Sequence, residues 1–565
     1  MQGLENARLA YEIPSNQSFH LPQGENCQTN PIRFLLSSGP PASYFFPRIM
    51  LNINKIACLG AALLVPALAW SAVEVTPLPE VPVGGETFGA PPVPREFRGL
   101  WIATVDTADG VDWPSKRNLT PREQKAELTA ILDRAVALHL NVIVFQVRGN
   151  CDAMYASRIE PWSEYLTGQQ GKAPWPFYDP LSFAVEEAHK RGLELHAWFN
   201  PYRVHARSWK TPAATNHVSR TRPGLVRAYA KFLWLDPTEQ GTRDYSLSVI
   251  LDVVRRYDID GVHFDDHFYP DPEKEGGREL PFPDDASWAR YQRAGGKLAR
   301  NDWRRENVTL FIRQVYDAIK REKPWVKFGI SPFGIWRPNH PPGIIGLDSY
   351  DALCGDARQW LADGLVDYLA PQLYWPAADK PHAFAALLKW WAEQNPRRRL
   401  LLAGMRAAGW AGLTNEAREA AHEIVLTRRQ PGVSGQILWH SALLRPNRPA
   451  VADALRQAVY GGPALVPACP WLGGAPPARP VLAARETGRG LKLNWHEEYG
   501  PVWQWVLRTE TGGRWTTDIL PGAQMKDILP GSAGGPLPEI ITVSAVNRCG
   551  AVGQAAVFHT DQLDK

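Results

Sequence analysis

What this sequence has little of narrows its function before any motif is read. Net charge is small: 62 Lys and Arg against 58 Asp and Glu leave +4 over 565 residues. With no basic stripe along any stretch, nucleic acid is excluded as a partner. Cysteine is scarce, six in all, with no Cys-x-x-Cys and no His-rich spacing, so the sequence asks for no metal. No Gly-rich phosphate fingerprint follows any strand pattern, and no cofactor is expected. No nucleophile elbow is present, which leaves an esterase or amidase without its nucleophile. What is abundant is tryptophan (23) and proline (50), and indoles suit stacking on rings, although most are core. At 44% hydrophobic and 21% charged, the chain reads as soluble and globular. Its length exceeds the ~250–300 residues at which single cores stop growing, so at least two domains are expected.

Residues 1–49 show no sustained periodicity. From Met50 the text changes to a short basic segment ending at Lys55, an apolar run over 56–69, then small residues up to Ala72. That is the order of a signal peptide, and Ala67-Leu68-Ala69 fits the small-x-small cleavage rule. The run is too short for a comfortable transmembrane helix, and Cys58 sits too early in it to be a lipidation cysteine. Translation is therefore expected to start at Met50, with 1–49 an upstream extension and 50–72 removed on export to the periplasm or cell envelope. The mature chain then has no transmembrane segment. It keeps Cys151, Cys354, Cys469 and Cys549, of which Cys469 and Cys549 are the expected pair if any forms. Residues 73–95 are Pro-rich and read as an extended tether.

From 96 to 461 strand and helix patterns alternate. Strands are expected at 97–105, 141–148, 193–202, 260–270, 326–333, 367–375, 400–405 and 435–441. Helices are expected at 121–138, 180–191, 242–256, 302–322, 382–394, 416–429 and 449–459, the first opening on Thr120-Pro121, a cap followed by Pro at the first position. Eight strands alternating with helices over about 360 residues match a (β/α)8 TIM-type barrel with insertions.

The stretch Asp260-Gly261-Val262-His263-Phe264-Asp265-Asp266-His267-Phe268-Tyr269-Pro270 centres the reading. Alternation puts Gly261, His263, Asp265 and His267 on one face and Val262, Phe264 and Asp266 on the other. If Val262 and Phe264 pack under helices, Asp265 looks into the barrel mouth. Two adjacent acids at the end of a buried strand are costly unless used or paired. In such barrels the working groups sit at the C-terminal strand ends. Here those ends carry Gln146 and Arg148, then Trp198, Asn200 and Tyr202 with Arg203, then His263 and Asp265, then Gln372 and Tyr374, then Trp439 and His440. Forks for hydroxyls beside flat aromatic faces describe a groove for a polymer of hydroxylated rings.

Several segments together, FRGLWIATV, NVIVFQVR with CDAMY and EPWS after it, HAWFNPYR, DGVHFDDHFYP, ISPFGIWR and APQLYW, resemble the family-ten glycosyl-hydrolase-like proteins. The resemblance spans about 96–461. It implies an exported barrel glycosidase of the bacterial envelope, of the divisome-associated type that acts on peptidoglycan glycan strands stripped of their peptides.

A Pro/Gly/Ala stretch at 462–477 reads as a linker. Short strand patterns at 481–484, 491–495, 504–508 and 539–546, with Val557 after, suggest a small sandwich over 478–565 that looks like a fibronectin type III module. No catalysis is expected there.

Glycoside hydrolysis usually takes two carboxyl groups. Asp265 is expected to hold the proton in a partly dry groove, with Asp266 and His263 tuning it and Tyr269 lining the site. Strict alternation turns Asp266 away unless the strand end re-aims it. Asp152 and Glu160 after the second strand, and Asp106 after the first, are the other acids in reach. A substrate-assisted route needs only one strong acid and a polarising neighbour. The rival reading is a glycan-binding protein on a barrel that does no chemistry.

Overall fold

Two of the barrel helices begin on a cap followed by proline that the sequence spells out. The Thr120 hydroxyl accepts from the Glu123 amide while the Glu123 carboxylate accepts from the Thr120 amide, and Pro121 fills the first helical position. Asp179 does the same service before Pro180. The computed structural model describes residues 89–563 except 108, 207–210, 408–415, 445–448 and 531–535. The expected upstream extension, the signal peptide and residues 73–88 of the tether lie outside them.

Eight parallel strands close into a barrel: β1 (Phe97–Ile102), β2 (Val142–Arg148), β3 (Glu194–Phe199), β4 (Gly261–Phe264), β5 (Lys327–Ile330), β6 (Tyr368–Leu369), β7 (Leu400–Arg406) and β8 (Gly435–Trp439). Eight principal helices alternate with them: α1 (Pro121–Ala137), α2 (Pro180–His189), α3 (Gln240–Arg256), α4 (Arg300–Glu322), α5 (Ala357–Asp363), α6 (Phe384–Glu393), α7 (Glu416–Arg429) and α8 (Pro449–Ala458). Successive strands are neighbours and β8 closes on β1, with Gly435 beside Phe97 and Ile437 beside Gly99. Most barrel strands are buried along their whole length, as a sheet covered on both faces requires. One apolar cluster, holding Val262, Phe264, Phe328 and Phe311, lies between strands and helices. A second, holding Trp101, Val144, Trp198, Tyr368 and Ile437, fills the barrel interior. Val262 and Phe264 therefore face the helices.

Expected and observed strands differ where side chains or prolines take over the backbone. β1 stops at Ile102 because the Ala103 amide donates to the Asp112 carboxylate, 2.9 Å. β3 stops at Phe199, two residues before Pro201. β6 is only two residues long because Pro371 has no N–H to give, and pairing resumes at Gln372 as isolated bridges to Phe333 and Gly404. The helix α5 was not expected. Neither was a three-stranded sheet inserted between β3 and α3, formed by Arg203–Ala206, Phe232–Leu235 and Val226–Tyr229.

Beyond the barrel lie two antiparallel sheets. One contains β9 (Val481–Thr487), β10 (Gly490–His496) and β13 (Lys526–Pro530). The other contains β11 (Gln504–Thr511), β12 (Arg514–Pro521), β14 (Ile540–Val546) and β15 (Ala556–His559). Leu491, Leu493 and Trp495 of the first share a core with Trp505, Leu507, Ile541 and Val543 of the second. β12 and β13 were not expected. The stretch 462–477 does more than span. Leu465 pairs with Arg95, and the Trp471 indole donates to Asp367, 2.9 Å. Arg548 of the β-region reaches Asp258 and Asp260 at the foot of β4. The Cys469 amide donates to the Cys549 carbonyl at 2.8 Å, yet all four cysteines among the described residues are free thiols.

Candidate active site

β4 ends at Phe264, so Asp265 and Asp266 both lie past the last regular pair, where alternation no longer decides which way a side chain points. Asp265 is the terminus of a hydrogen-bond chain that crosses the mouth strand by strand. The Thr104 amide, beyond β1, donates to Gln146 Oε1 of β2 at 2.8 Å. Gln146 Nε2 donates to Asn200 Oδ1, beyond β3, at 2.7 Å, and Asn200 Nδ2 donates to Asp265 Oδ2. A backbone amide can only donate, so it fixes the direction of every bond after it. Trp198 Nε1 gives Asp265 Oδ2 a second donor at 3.3 Å, and the His267 amide reaches Oδ1 at 3.3 Å. Arg203 steadies the chain from the side, donating to Asn200 Oδ1 at 3.2 Å.

Asp266 has a different setting. Burial pushes its carboxyl up, to about 6; the His267 imidazole opposes this, and Asp265 and Asp271 add to it. His267 lies 3.9 Å away and is itself raised because Asp266 and Asp265 outweigh its burial. Asp266 is thus a carboxyl whose surroundings favour its protonated form.

His263, expected to line the groove, instead turns into the barrel interior. It is fully buried, and the Trp101 indole donates to its Nε2 at 3.1 Å. An indole has no acceptor, so Nε2 is unprotonated and Nδ1 carries the hydrogen. Nδ1 then donates to the Tyr368 hydroxyl, 2.9 Å, which donates to His196 Nδ1, 3.0 Å. His196 Nε2 donates to Glu194 at 3.1 Å, and Lys327 closes the column against Glu194 at 2.9 Å. Burial, with His196 nearby, holds His263 well below its ordinary pKa. Lys327 and His196 overcome burial to draw Glu194 down to about 2. Two glycines make room: a Cβ on Gly261 would stand 2.5 Å from the His196 ring, and one on Gly329 1.9 Å from the Tyr368 ring.

Other expected site residues are also placed elsewhere. A register shift in the β2–β3 pairing between Gln146 and Arg148 separates two residues that alternation would put on one face. Arg148 is buried and pairs with Glu160 through Nε and Nη2, while Tyr245 caps the same carboxylate at 2.8 Å. Both are structural here; Arg148 also donates to the Asn200 carbonyl at 2.6 Å. Asp152 is buried, takes the Asn150 amide at 3.3 Å, and is pushed up to about 6 by burial. Tyr202 and Tyr269 lie in the helix-side core against Phe311 and Phe282, their hydroxyls without a hydrogen-bond partner. Asp106 is held by Arg117 and Tyr165, each at 2.7 Å.

What stays around Asp265 is aromatic and amide. Trp439 is half-buried, with Trp198 at 6.2 Å, Trp101 at 6.1 Å and Tyr374 at 6.3 Å between ring centroids. Gln372 donates to the Ser331 carbonyl at 2.9 Å. The sequence reading missed Asp109 and Asp112, which arrive from the loop after β1 to meet Trp439 and His440. Their signal was three acids at three-residue spacing, Asp106, Asp109 and Asp112, directly beyond a barrel strand. Among the described residues no three His, Cys, Asp or Glu side chains converge as a metal would need.

A parallel barrel that gathers paired carboxyls and ring-sized aromatic faces at its mouth has the parts that glycoside hydrolysis uses, and this chain is a glycoside hydrolase. It belongs to the family described as Glycosyl hydrolase-like 10, whose model matches residues 96–414. Glycosyl hydrolase YngK of Bacillus subtilis is 40% identical over 402 residues, 69% of this chain and 76% of that protein. Glycosyl hydrolase DigH of Escherichia coli K12 is 34% identical over 441 residues, 71% of this chain and 96% of that one. Among solved structures, the catalytic domain of β-amylase from Paenibacillus polymyxa superposes with a TM-score of 0.45 at 12% identity, over 66% of this chain and 99% of that chain.

Proposed function

We propose that the enzyme cleaves the glycan strands of the bacterial cell wall in their peptide-free form, with Asp266 as proton donor and Asp265 as the carboxylate beside it. The observation that carries this is the contrast between two adjacent side chains. Donors surround Asp265, whereas burial raises Asp266 to about 6. Asp266 protonates the glycosidic oxygen as the bond to C1 breaks. The two acids are consecutive at one strand end rather than set on opposite walls, which favours a substrate-assisted route. The sugar's own 2-acetamido oxygen attacks C1, Asp265 holds the amide N–H, and Asp266, now ionised, draws the proton from the water that opens the ring intermediate. Trp439, Tyr374 and Trp198 offer faces for the sugars, and Gln372 a polar edge.

The substrate assignment rests on the motif resemblance to glycosidases of peptide-free strands and on the aromatic mouth. The same reading has the chain exported through a signal peptide starting near Met50 to the periplasm or envelope, near division-site proteins, with the two antiparallel sheets a fibronectin type III-like accessory module. The test is product analysis by mass spectrometry after incubation with amidase-stripped and intact peptidoglycan. Shortened saccharides from stripped strands alone support the proposal, and turnover of intact strands at equal rate, or of neither, defeats it.

A further inference from the structure

We infer that Asp109 is a positioning residue that sets the plane of the Trp439 indole, an inference that rests on the reading of Trp439 as a sugar platform. Asp109 lies on the loop after β1, yet its partners come from the far side of the barrel seam. Its Oδ2 accepts from Trp439 Nε1, the last residue of β8, at 3.0 Å. Its Oδ1 accepts from Arg406, the last residue of β7, at 2.6 Å. His440 stands behind, Nε2 at 3.9 Å from Asp109 Oδ2, and is itself held by Asp112 through Nδ1 at 2.6 Å. Asp112 is anchored in turn by the Ala103 amide. The anchor of the Trp439 platform is thus charge-assisted and braced from three strand ends.

The geometry also mirrors the catalytic side. Trp198 and Trp439 pack edge to face, 6.2 Å between centroids at 69°, and each donates its indole N–H to an aspartate. Trp198 donates to Asp265 and Trp439 to Asp109. The two indoles therefore lie between the reacting carboxyl and a second one that Arg406 neutralises. An indole free of its N–H bond can turn about its two side-chain torsions, so losing Asp109 leaves the ring present but unaligned. That weakens productive binding of the glycan and leaves the Asp265–Asp266 chemistry in place.

The test is steady-state kinetics of the full chain on peptide-free glycan strands for Asp109→Ala, Asp109→Asn, Trp439→Ala and the double variant Asp109→Ala/Trp439→Ala, with thermal midpoints recorded. Asp109→Ala is expected to raise KM by about threefold to tenfold, the cost of re-ordering an unaligned indole on binding, with kcat within about threefold. Asp109→Asn keeps an acceptor for the indole and should raise KM less. Because Asp109 acts through Trp439, the double variant should be no worse than Trp439→Ala alone. Additive losses in the double variant, or a fall in kcat at unchanged KM, overturn the inference. If Trp439→Ala weakens binding and Asp109→Ala does not, the inference alone falls. If Trp439→Ala binds like the parent, the platform reading falls and takes the inference with it.

Discussion

Replacing Tyr368 by Phe removes one hydroxyl from the middle of the barrel column and leaves the shape of the ring. In the parent that hydroxyl accepts from His263 Nδ1 and donates to His196 Nδ1, with both imidazoles fully buried. The variant strands a donor and an acceptor. Neither has an alternative, since the other nitrogen of each ring is committed to Trp101 or Glu194. Water cannot stand in easily, because the Tyr368 ring fills the notch left by Gly329. Each orphaned buried group costs about 1–3 kcal/mol, so the substitution should destabilise by about 2–6 kcal/mol. That is a large fraction of the roughly 5–15 kcal/mol that holds a typical protein folded. Tyr202→Phe is the control: its hydroxyl is equally buried but has no partner, so its loss should be neutral or slightly stabilising. Guanidinium unfolding followed by tryptophan fluorescence reads both, compared at equal m-values. If the two variants shift the midpoint alike, or Tyr368→Phe costs less than about 0.5 kcal/mol, the directional column is not holding the barrel interior.

Other expected outcomes follow from the site. Asp265→Asn should abolish turnover while glycan binding, measured by titration calorimetry, persists and the thermal midpoint falls modestly, because the new NH2 must face one of the donors that meet the carboxylate; retained hydrolysis would remove Asp265 from the chemistry. For Asp266, burial holds the folded pKa at about 6, above the ordinary aspartate value of about 3.9, so its contribution to stability is fully present below about 4 and lost as pH rises through 6. Asp266→Asn should therefore match the parent in stability near pH 4, exceed it by up to about 3 kcal/mol at pH 8, and show no turnover. Parent kcat should fall on the alkaline side as Asp266 loses its proton, and a flat profile from pH 5 to about 8 would contradict its role as acid. Glu160→Gln should lower stability by about 3–5 kcal/mol by leaving buried Arg148 unpaired, visible as a lower unfolding midpoint, and a silent change would mean the pair is solvated. Intact-mass analysis of secreted protein should give a chain starting near residues 70–73, and retention of residues 1–49 would defeat the export reading.

The sequence alone determined the barrel because its signals are local. Strand and helix periods, the Thr120-Pro121 cap and the eightfold alternation depend on near neighbours, so all eight strands were legible even where their ends were not. The ends were set by contacts distant in sequence or by prolines: Asp112 taking the Ala103 amide, and Pro371 breaking β6. Asp265 and Asp266 were legible as a costly acid pair at a strand end, and alternation correctly sent Val262 and Phe264 toward the helices. The different settings of the two acids came from tertiary surroundings, since donors arrive at Asp265 from β3 and its loop while burial raises Asp266. Tertiary structure likewise decided that Arg148 pairs with Glu160, because one shifted residue in the β2–β3 register separates it from the face that holds Gln146. Asp109 shows the limit most clearly. It meets Arg406 and Trp439 across about 300 residues of chain, and only closing β8 onto β1 brings them within hydrogen-bond reach.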